Sequence, residues 1–289
     1  MWPLIKRHAL CYLRDRWSVF FSFLSVMIVV MLFALFLSNV QEQNIPEVFR
    51  GTDESAYLLN SWLFAGVLAV ATCTVPLGFL NRLVEDRVSL SLNDFFVTPL
   101  DRSMIVFSYL ISAMVLSLFM GVIVLAVGQL VLFVSASTML PAFDVMKLFA
   151  LVAFTSTVFS AIGFYVISLI RTMNAASALN TLVGTLIGFL AGIYVPIGEF
   201  GTILQNTLNI LPPMQVASLY RRIYMDSALA EMFAHEGVAE AEARYRDYAG
   251  IDVELFGMSL ESGHLFALLI AWLAVFLVLS LLRIRRFKI

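Results

Sequence analysis

The chain has 289 residues, of which 61% are hydrophobic and 13% are charged, and its formal net charge is −2. Soluble domains contain roughly 45–50% apolar and about 25% charged residues, so this composition excludes an ordinary soluble protein. The basic residues are dispersed along the chain, which argues against nucleic-acid binding. Its cysteines and histidines have neither metal-ligand spacing nor a neighbouring nucleophile, which argues against a metal enzyme or a hydrolase. We therefore predict an integral membrane protein.

Six runs without Asp, Glu, Lys or Arg are long enough to cross the membrane. A helix needs about 20 apolar residues to cross a hydrocarbon core roughly 30 Å thick. The runs are 18–38, 55–81, 103–143, 148–170, 172–198 and 262–282. The third is too long for one span, and we expect its helix at 103–134. Continuous apolar runs exclude a transmembrane barrel, whose strands alternate every second residue, so the predicted fold class is an all-α membrane protein with six spans.

The N-terminal segment predicts an amphipathic helix. Leu4 and Ile5 stand beside Lys6 and Arg7, and this mixture continues through residues 1–17. Such a helix would lie in the cytoplasmic membrane interface, although an unstructured basic tail is an alternative. A cleavable signal has an apolar region of about 7–15 residues, so the longer run 18–38 is predicted to be a retained span.

The distribution of basic residues predicts the orientation. Four precede the first span, three lie between the second and third, one is Arg171 and four follow the last span. All of these fall on one side of a six-span chain, and the positive-inside rule then places both termini in the cytoplasm. The predicted divisions are an interfacial helix at 1–17, spans one to five at 18–198 with a cytoplasmic loop at 81–102, an outer segment at 199–262, and the sixth span with a basic tail at 263–289.

The outer segment contains two different parts. Pro196 breaks the fifth span, residues 200–210 are apolar over half a membrane thickness, and Pro212-Pro213 follows. This pattern predicts a re-entrant or interfacial helical hairpin. Residues 221–261 are polar, and we expect one helix near 226–248, ended by Gly250, in a small external cap.

The sequence contains no obvious energy source. The spans carry no charged residue of the kind that proton-coupled transporters place inside the membrane. The chain also lacks the G-x-x-x-x-G-K-[ST] loop that cradles the phosphates of ATP. A sodium-driven carrier, an ATP-independent channel and a membrane scaffold remain alternatives to a transporter that receives mechanical work from a partner.

The loop 81–102 is the candidate for receiving that work. Its apolar Leu83, Val84 and Leu90 alternate with charged residues at near-helical spacing, which predicts a short amphipathic helix. An interfacial anchor is the alternative. The order Glu85-Asp86-Arg87, then Leu90, then 95–100 (FFVTPL) resembles the cytoplasmic loop of the type 2 ATP-binding-cassette (ABC) permease family. The polar segment 221–261 resembles the external insertions of that family's drug and peptide exporter branch. One departure is Val88-Ser89, where the family usually has Gly-Thr.

The resemblance implies a function and partners. A permease of this family would move a hydrophobic or amphipathic substrate, such as a drug, an antimicrobial peptide or a lipid, out through the cell membrane. It would pair with a second permease copy or a homologue and with cytoplasmic ABC ATPase subunits, which would bind ATP and Mg²⁺. Export of a polysaccharide or lipid-linked glycan is an alternative. The implied ATPase-coupling residues are Glu85, Asp86, Arg87, Val88, Leu92, Phe95, Phe96, Thr98 and Pro99.

Two further sets of residues are candidates within the spans. Gly184, Gly188 and Gly192 recur every four residues, which is typical of close helix packing, either within one subunit or at a seam between two copies. Polar side chains within the spans could line a substrate pathway or form hydrogen bonds between helices. These are Asn60, Asn180, Thr181 and Thr185.

Overall fold

The computed structural model describes residues 2–17, 50–92, 101–233 and 239–285, with scattered positions between 20 and 45. Most of the first predicted span and residues 93–100 lie outside this part of the chain. The helices are α1 (Trp2–Arg14), α2 (Asp53–Val88), α3 (Arg102–Ala136), α4 (Ala142–Leu169), α5 (Met173–Leu190), α6 (Thr202–Ile210), α7 (Pro212–Tyr224), α8 (Asp226–Met232), α9 (Ala239–Tyr248) and α10 (Ser262–Arg285). Strands β1 (Val253–Leu255) and β2 (Met258–Leu260) precede α10.

Within the described residues, five helices are long and apolar enough to cross a membrane. They are α2, α3, α4, α5 and α10. The protein is therefore a multi-pass helical membrane protein, as predicted. Of the six predicted spans, the first falls largely on residues that are not described, so the count of six stays a prediction.

Helix α2 is the central element of the fold. Its N-cap is Thr52, whose hydroxyl accepts a hydrogen bond from the Ser55 amide at 3.3 Å, and Asp53 and Glu54 complement the positive end of the helix. Most of its apolar part is buried against α3, α4, α5 and α7. At 36 residues, α2 is about 54 Å long, well beyond a bilayer core, so its far end projects out of any membrane that it crosses.

Because α2 continues to Val88, the loop between α2 and α3 begins after residue 88 and not at residue 81, as the sequence predicted. Residues 81–88 form the last two turns of α2 and not a separate loop helix. The segment has no helix breaker, and Leu83 and Val84 are completely buried against the neighbouring helices, so the helix continues to Val88. The chain that joins α2 to α3 is correspondingly shorter.

The predicted break at Pro212 and Pro213 is present: α6 ends at Ile210, and the two prolines occupy the first turn of α7, where proline is tolerated. The rest of the segment predicted to lie on the outer side differs in two ways. The single helix expected near 226–248 is instead α8 and α9. Strands β1 and β2 form an antiparallel hairpin that the all-α prediction missed. Both of its turn residues, Phe256 and Gly257, have positive φ, and a phenylalanine there gives no sequence signal for such a turn.

Candidate functional site

The charged residues at the end of α2 point in three directions. Glu85 is exposed and receives a hydrogen bond from Arg82 at 2.9 Å. Asp86 is 2% exposed, and Arg87 is partly buried. Consecutive residues on an α-helix lie about 100° apart, so one short charged sequence reaches three different surroundings.

Asp86 joins three helices. Its Oδ2 accepts hydrogen bonds from the Tyr109 hydroxyl of α3 at 2.5 Å and from Arg7 Nη1 of α1 at 3.3 Å. The Nε of Arg82, one turn earlier on α2, lies 3.6 Å from Asp86 Oδ1. A buried carboxylate is costly unless it is paired and hydrogen-bonded, and these partners meet that need. Asp86 therefore holds α1 and α3 to the end of α2, and its side chain does not face solvent.

His8 strengthens the attachment of α1. The ring is 1% exposed, its Nε2 lies 3.1 Å from the Ser108 hydroxyl, and its centroid lies 4.1 Å from that of the Tyr109 ring. Burial, followed by the nearby Arg7 charge, lowers the pKa of His8 to about 4. His8 is therefore neutral at physiological pH and packs as an uncharged hydrogen-bonding group.

Arg87 connects the same end of α2 to the start of α5. Its Nη1 donates a hydrogen bond to the Ile170 carbonyl at 2.6 Å, in the short turn between α4 and α5. Arg283 of α10 reaches the neighbouring Ser168 carbonyl at 3.5 Å. Both cations therefore lie at the negative C-terminal end of α4. A displacement of the end of α2 would act directly on the turn that leads into α5.

Beyond the charged residues, the chain presents apolar side chains with different exposures. Val88 is 53% exposed and Leu90 is 62% exposed, whereas Leu92 is buried. Leu90, two residues beyond the last residue of α2, has a φ of 62°, a left-handed conformation that costs a leucine roughly 1–2 kcal/mol. Of the predicted coupling residues, Phe95, Phe96, Thr98 and Pro99 lie outside the described residues.

A cavity of about 1000 Å³ lies between α1, α2 and α5. Three of the four predicted pathway residues, Asn180, Thr181 and Thr185, line it together with Gly184. The Thr181 and Thr185 hydroxyls donate to main-chain oxygens one turn earlier on α5, which satisfies them in an apolar setting. Asn60 is not among the described lining residues. Its amide donates to Ser135 of α3 at 3.0 Å, so it forms a hydrogen bond between helices.

The cavity is amphipathic along α2. Its wall extends from Val70 to Glu85, about 22 Å of helix. Val70 and Ala71 line the apolar end, whereas Arg82 and Glu85 line the other end. The arrangement provides an apolar chamber with a charged mouth, next to the residues that connect α2 to α1 and α5.

The three predicted packing glycines have three different surroundings. A Cβ on Gly184 would meet no described atom within 4 Å, so this position faces open space. A Cβ on Gly188 would collide with the Tyr194 ring of the same chain. Gly192 lies beyond α5 with a φ of +63°, a left-handed end that glycine adopts without a steric penalty. Their regular spacing therefore does not form one continuous packing stripe.

Replacing Gly188 with alanine is expected to lower the thermal unfolding midpoint of the purified protein. The new methyl group would overpack the Tyr194 ring, at a cost of about 1–3 kcal/mol. Alanine's higher helix propensity, about 1 kcal/mol, offsets part of this cost. Gly184→Ala is the matched control, because its methyl group enters open space and should leave the midpoint unchanged or raised. Equal midpoints for the two variants would contradict the assigned packing.

Sequence reasoning missed Arg221, which it placed at the start of the polar external segment. Arg221 is completely buried in α7. Its Nη2 donates to the carbonyls of Ala191 and Gly192 at 2.9 and 2.8 Å, and its guanidinium lies 5.0 Å from the centroid of the Trp62 ring. Burial lowers the pKa of Arg221 to about 9, so it stays charged at neutral pH. The sequence signal for its burial was its position directly after an apolar segment.

Arg221 fixes the end of α5 to its surroundings. The carbonyls at the C-terminal end of a helix lack partners within that helix, and Arg221 supplies a donor for two of them. Its Nη1 also reaches the Gly250 carbonyl at 3.5 Å, and Trp62 donates to the adjacent Ala249 carbonyl at 2.9 Å. The segment after α9, the end of α5 and the first half of α2 are therefore held at one buried point.

The fold and the site together define the class. Two of the apolar helices suited to crossing a membrane, α2 and α5, line an amphipathic cavity, and the long helix α2 projects past the bilayer core, as expected of a membrane transport component. The model of the ABC-2 type transporter family matches residues 1–225. The chain belongs to the ABC-2 type transporter family, and this confirms the resemblance seen in residues 85–100. No curated protein matches the chain.

The family assigns a general role to the chain. It is the membrane component of a transport system and is not itself catalytic, and permeases of this family normally work with ABC ATPase subunits. The matched residues include α1 to α7, and therefore the cavity and the connections at both ends of α5.

Proposed function

We propose that this chain is the permease subunit of an ATP-driven exporter for hydrophobic or amphipathic molecules. The observation that carries the proposal is the double connection at the end of α2, where Asp86 holds α1 and α3 and Arg87 holds the turn before α5. Because α2 and α5 also line the cavity, movement of this end would change the shape of the cavity. Family membership supports an ATPase as the source of that movement.

The docking surface for the ATPase begins where α2 ends. ATP and Mg²⁺ would bind to the ATPase subunits, and their closure would press on residues 88–102 from the cytoplasm. Exposed Val88 and Leu90 would insert into a cleft of the partner, as an amphipathic segment does in a hydrophobic groove. Asp86 and Arg87 would transmit the force within this chain, and Glu85 remains exposed beside the contact. The positive-inside rule supports this cytoplasmic placement, with both termini on the same side of the cell membrane.

A second copy of the chain, or a homologue, would complete the exporter. Most of α5 is exposed in the single chain. Its exposed surface includes the polar side chains of Asn174, Ser177 and Thr181, which lipid would not accommodate well. Polar side chains in a membrane usually face another helix or a water-filled space, so this surface favours a partner across the cavity.

Replacing Val88 with aspartate is expected to reduce co-purification of the ATPase by more than about tenfold. A charge buried in an apolar cleft costs well over the 1.4 kcal/mol that corresponds to a tenfold change in affinity. Met258→Asp is the matched control, since Met258 is also an exposed apolar residue but lies in the hairpin before α10. Unchanged co-purification of the Val88→Asp protein, at normal membrane insertion, would refute this docking surface.

Reconstitution tests the function as a whole. The purified permease and its ATPase in lipid vesicles should accumulate an amphipathic fluorophore only with ATP and Mg²⁺ present. Transport that needs neither ATP nor an ATPase would instead indicate a channel. Transport that follows a sodium gradient and ignores ATP would indicate a sodium-driven carrier.

A further inference from the structure

The hairpin of β1 and β2 presents an aromatic side chain at a strained position. Phe256, the first residue of its turn, is 71% exposed and has a φ of 52°. A left-handed conformation costs a non-glycine residue roughly 1–2 kcal/mol, and asparagine, aspartate and glycine are the residues that favour such turns. An exposed aromatic ring adds to this cost in water. Both features are therefore unfavourable for a turn that is surrounded only by water.

The hairpin is held at both of its ends. At the tip, the Phe256 amide donates a hydrogen bond to Asn206 Oδ1 of α6 at 3.0 Å. At the base, Nη2 of Arg222 in α7 donates to the Leu260 carbonyl at 2.6 Å. The position of Phe256 is therefore fixed relative to α6 and α7.

Helix α6 extends the exposed apolar surface of the hairpin. Asn209 of α6 donates to the Glu254 carbonyl of β1 at 2.7 Å, so the helix lies against the hairpin. Neither α6 nor residues 256–260 contain a charged side chain. The exposed apolar side chains of these two elements form what we call the apolar patch, which comprises Ile203, Leu204, Ile210, Phe256 and Met258.

The two faces of the hairpin differ in polarity. Glu254 and Ser259 lie opposite each other and line a polar cavity of about 540 Å³ together with Arg222. Leu255 and Met258 form the next pair, and successive residues of a strand point to opposite faces. The hairpin is therefore amphipathic, with the charged groups on one face and the apolar patch on the other.

The start of α10 fixes the position of the hairpin relative to the membrane. The charge-free run 262–282 is about 32 Å long as a helix, only slightly more than a hydrocarbon core of roughly 30 Å. Ser262 therefore lies at the boundary of that core. Strand β2 ends at Leu260, two residues before α10, and three strand residues cover only about 10 Å. The hairpin is thus adjacent to the membrane surface at which α10 begins.

We infer that the apolar patch inserts into the lipid at the membrane surface where α10 begins. Most of α10 is exposed in the single chain, so the patch continues a surface that already faces lipid. Aromatic side chains are favoured at this level of a bilayer, and insertion of the Phe256 ring would offset the strain of its turn. The patch has no charge, so it needs no anionic lipid. The inference does not depend on the exporter function.

Insertion would have a consequence for the transport helices. Helix α6 leads directly into α7, whose Arg221 donates to the carbonyls at the end of α5. The inserted patch would therefore hold this end of α5 at a constant depth while the far end of α2 moves.

The test measures the depth of a nitroxide spin label in nanodiscs of uncharged phosphatidylcholine. The label is attached to the full-length chain at Phe256→Cys, with Cys11 replaced by serine. Cys73 is buried, so it stays unlabelled in a folded protein and verifies the fold of each variant. Collisions of the label with molecular oxygen, which concentrates in lipid, are compared with collisions with a water-soluble nickel complex. We expect oxygen collisions to dominate at position 256.

Arg244→Cys supplies the matched control. Arg244 lies on α9, in the same external segment, and its side chain is exposed. The ratio of oxygen to nickel collisions should be several-fold lower for a label at this position. A label at Ile203→Cys tests α6 in the same way, and adding Phe256→Asp should lower its ratio several-fold, because a charge at the tip opposes insertion.

Two results would overturn the inference. A label at position 256 that meets the nickel complex as often as the label at position 244 would show that the patch lies in water. A label that is shielded from both reagents, with magnetic broadening between labels on two chains, would show that a second copy of the chain covers the patch.

Discussion

Replacing Arg221 with methionine is expected to lower the thermal unfolding midpoint by about 5–10 °C, which corresponds to a loss of about 3 kcal/mol. Methionine fills much of the space but donates no hydrogen bond. The carbonyls of Ala191, Gly192 and Gly250 would then be buried without this donor. Each buried carbonyl left unsatisfied costs about 1–3 kcal/mol, so a large effect is expected from a single substitution.

The thermal unfolding midpoint is measured by the exposure of Cys73. Cys73 is 2% exposed in α2, so a thiol-reactive fluorophore should label it only as the protein unfolds. Cys11 is partly exposed and would be replaced by serine in every protein compared. Arg244→Met is the control, because Arg244 is an exposed arginine whose loss should change stability by less than about 0.5 kcal/mol. Similar midpoints for the Arg221 and Arg244 variants would show that the buried connection is not stabilising.

Replacing Asp86 with alanine is expected to release α1 from the bundle and to cost about 3 kcal/mol of stability. The substitution removes the acceptor for Tyr109 and Arg7 and leaves Arg82 and Arg7 without this shared carboxylate. In the complete transporter, we expect continued ATP hydrolysis with strongly reduced transport, because α2 would no longer move α1 with it. Asp86→Asn, which keeps the size and one acceptor oxygen, should have an intermediate effect.

Labelling of Cys11 reports on the release of α1. Cys11 lies on α1 beside the cavity and is only partly exposed, so its reaction with a maleimide should accelerate several-fold when the helix detaches. Glu85→Gln is the control for this measurement, since the neighbouring carboxylate is exposed and contacts Arg82. If Asp86→Ala left the labelling rate and the thermal midpoint unchanged, Asp86 would not hold the three helices together.

Sequence alone determined the class of the protein and most of its long helices. The length of an uncharged run is a local property, and a bilayer accepts only apolar segments of about 20 residues, so α2 to α5 and α10 could be predicted from composition. The observed α3, Arg102–Ala136, differs from the predicted 103–134 by only a few residues. The order of short motifs around Glu85 was enough to identify the family, which the match to residues 1–225 confirms.

Tertiary structure decided what the charged and small residues do. Glu85, Asp86 and Arg87 are adjacent in sequence, but the helical turn of about 100° per residue points them at solvent, at α1 and α3, and at the turn before α5. Similarly, the surroundings of Gly184 and Gly188 differ because the Tyr194 ring folds back onto Gly188, whereas Gly184 faces open space. Arg221 appeared to be a surface charge because its partners, the carbonyls of Ala191 and Gly192, lie about 30 residues away and carry no side-chain signal. Contacts between distant segments depend on how the helices pack, and a local sequence pattern does not contain that information.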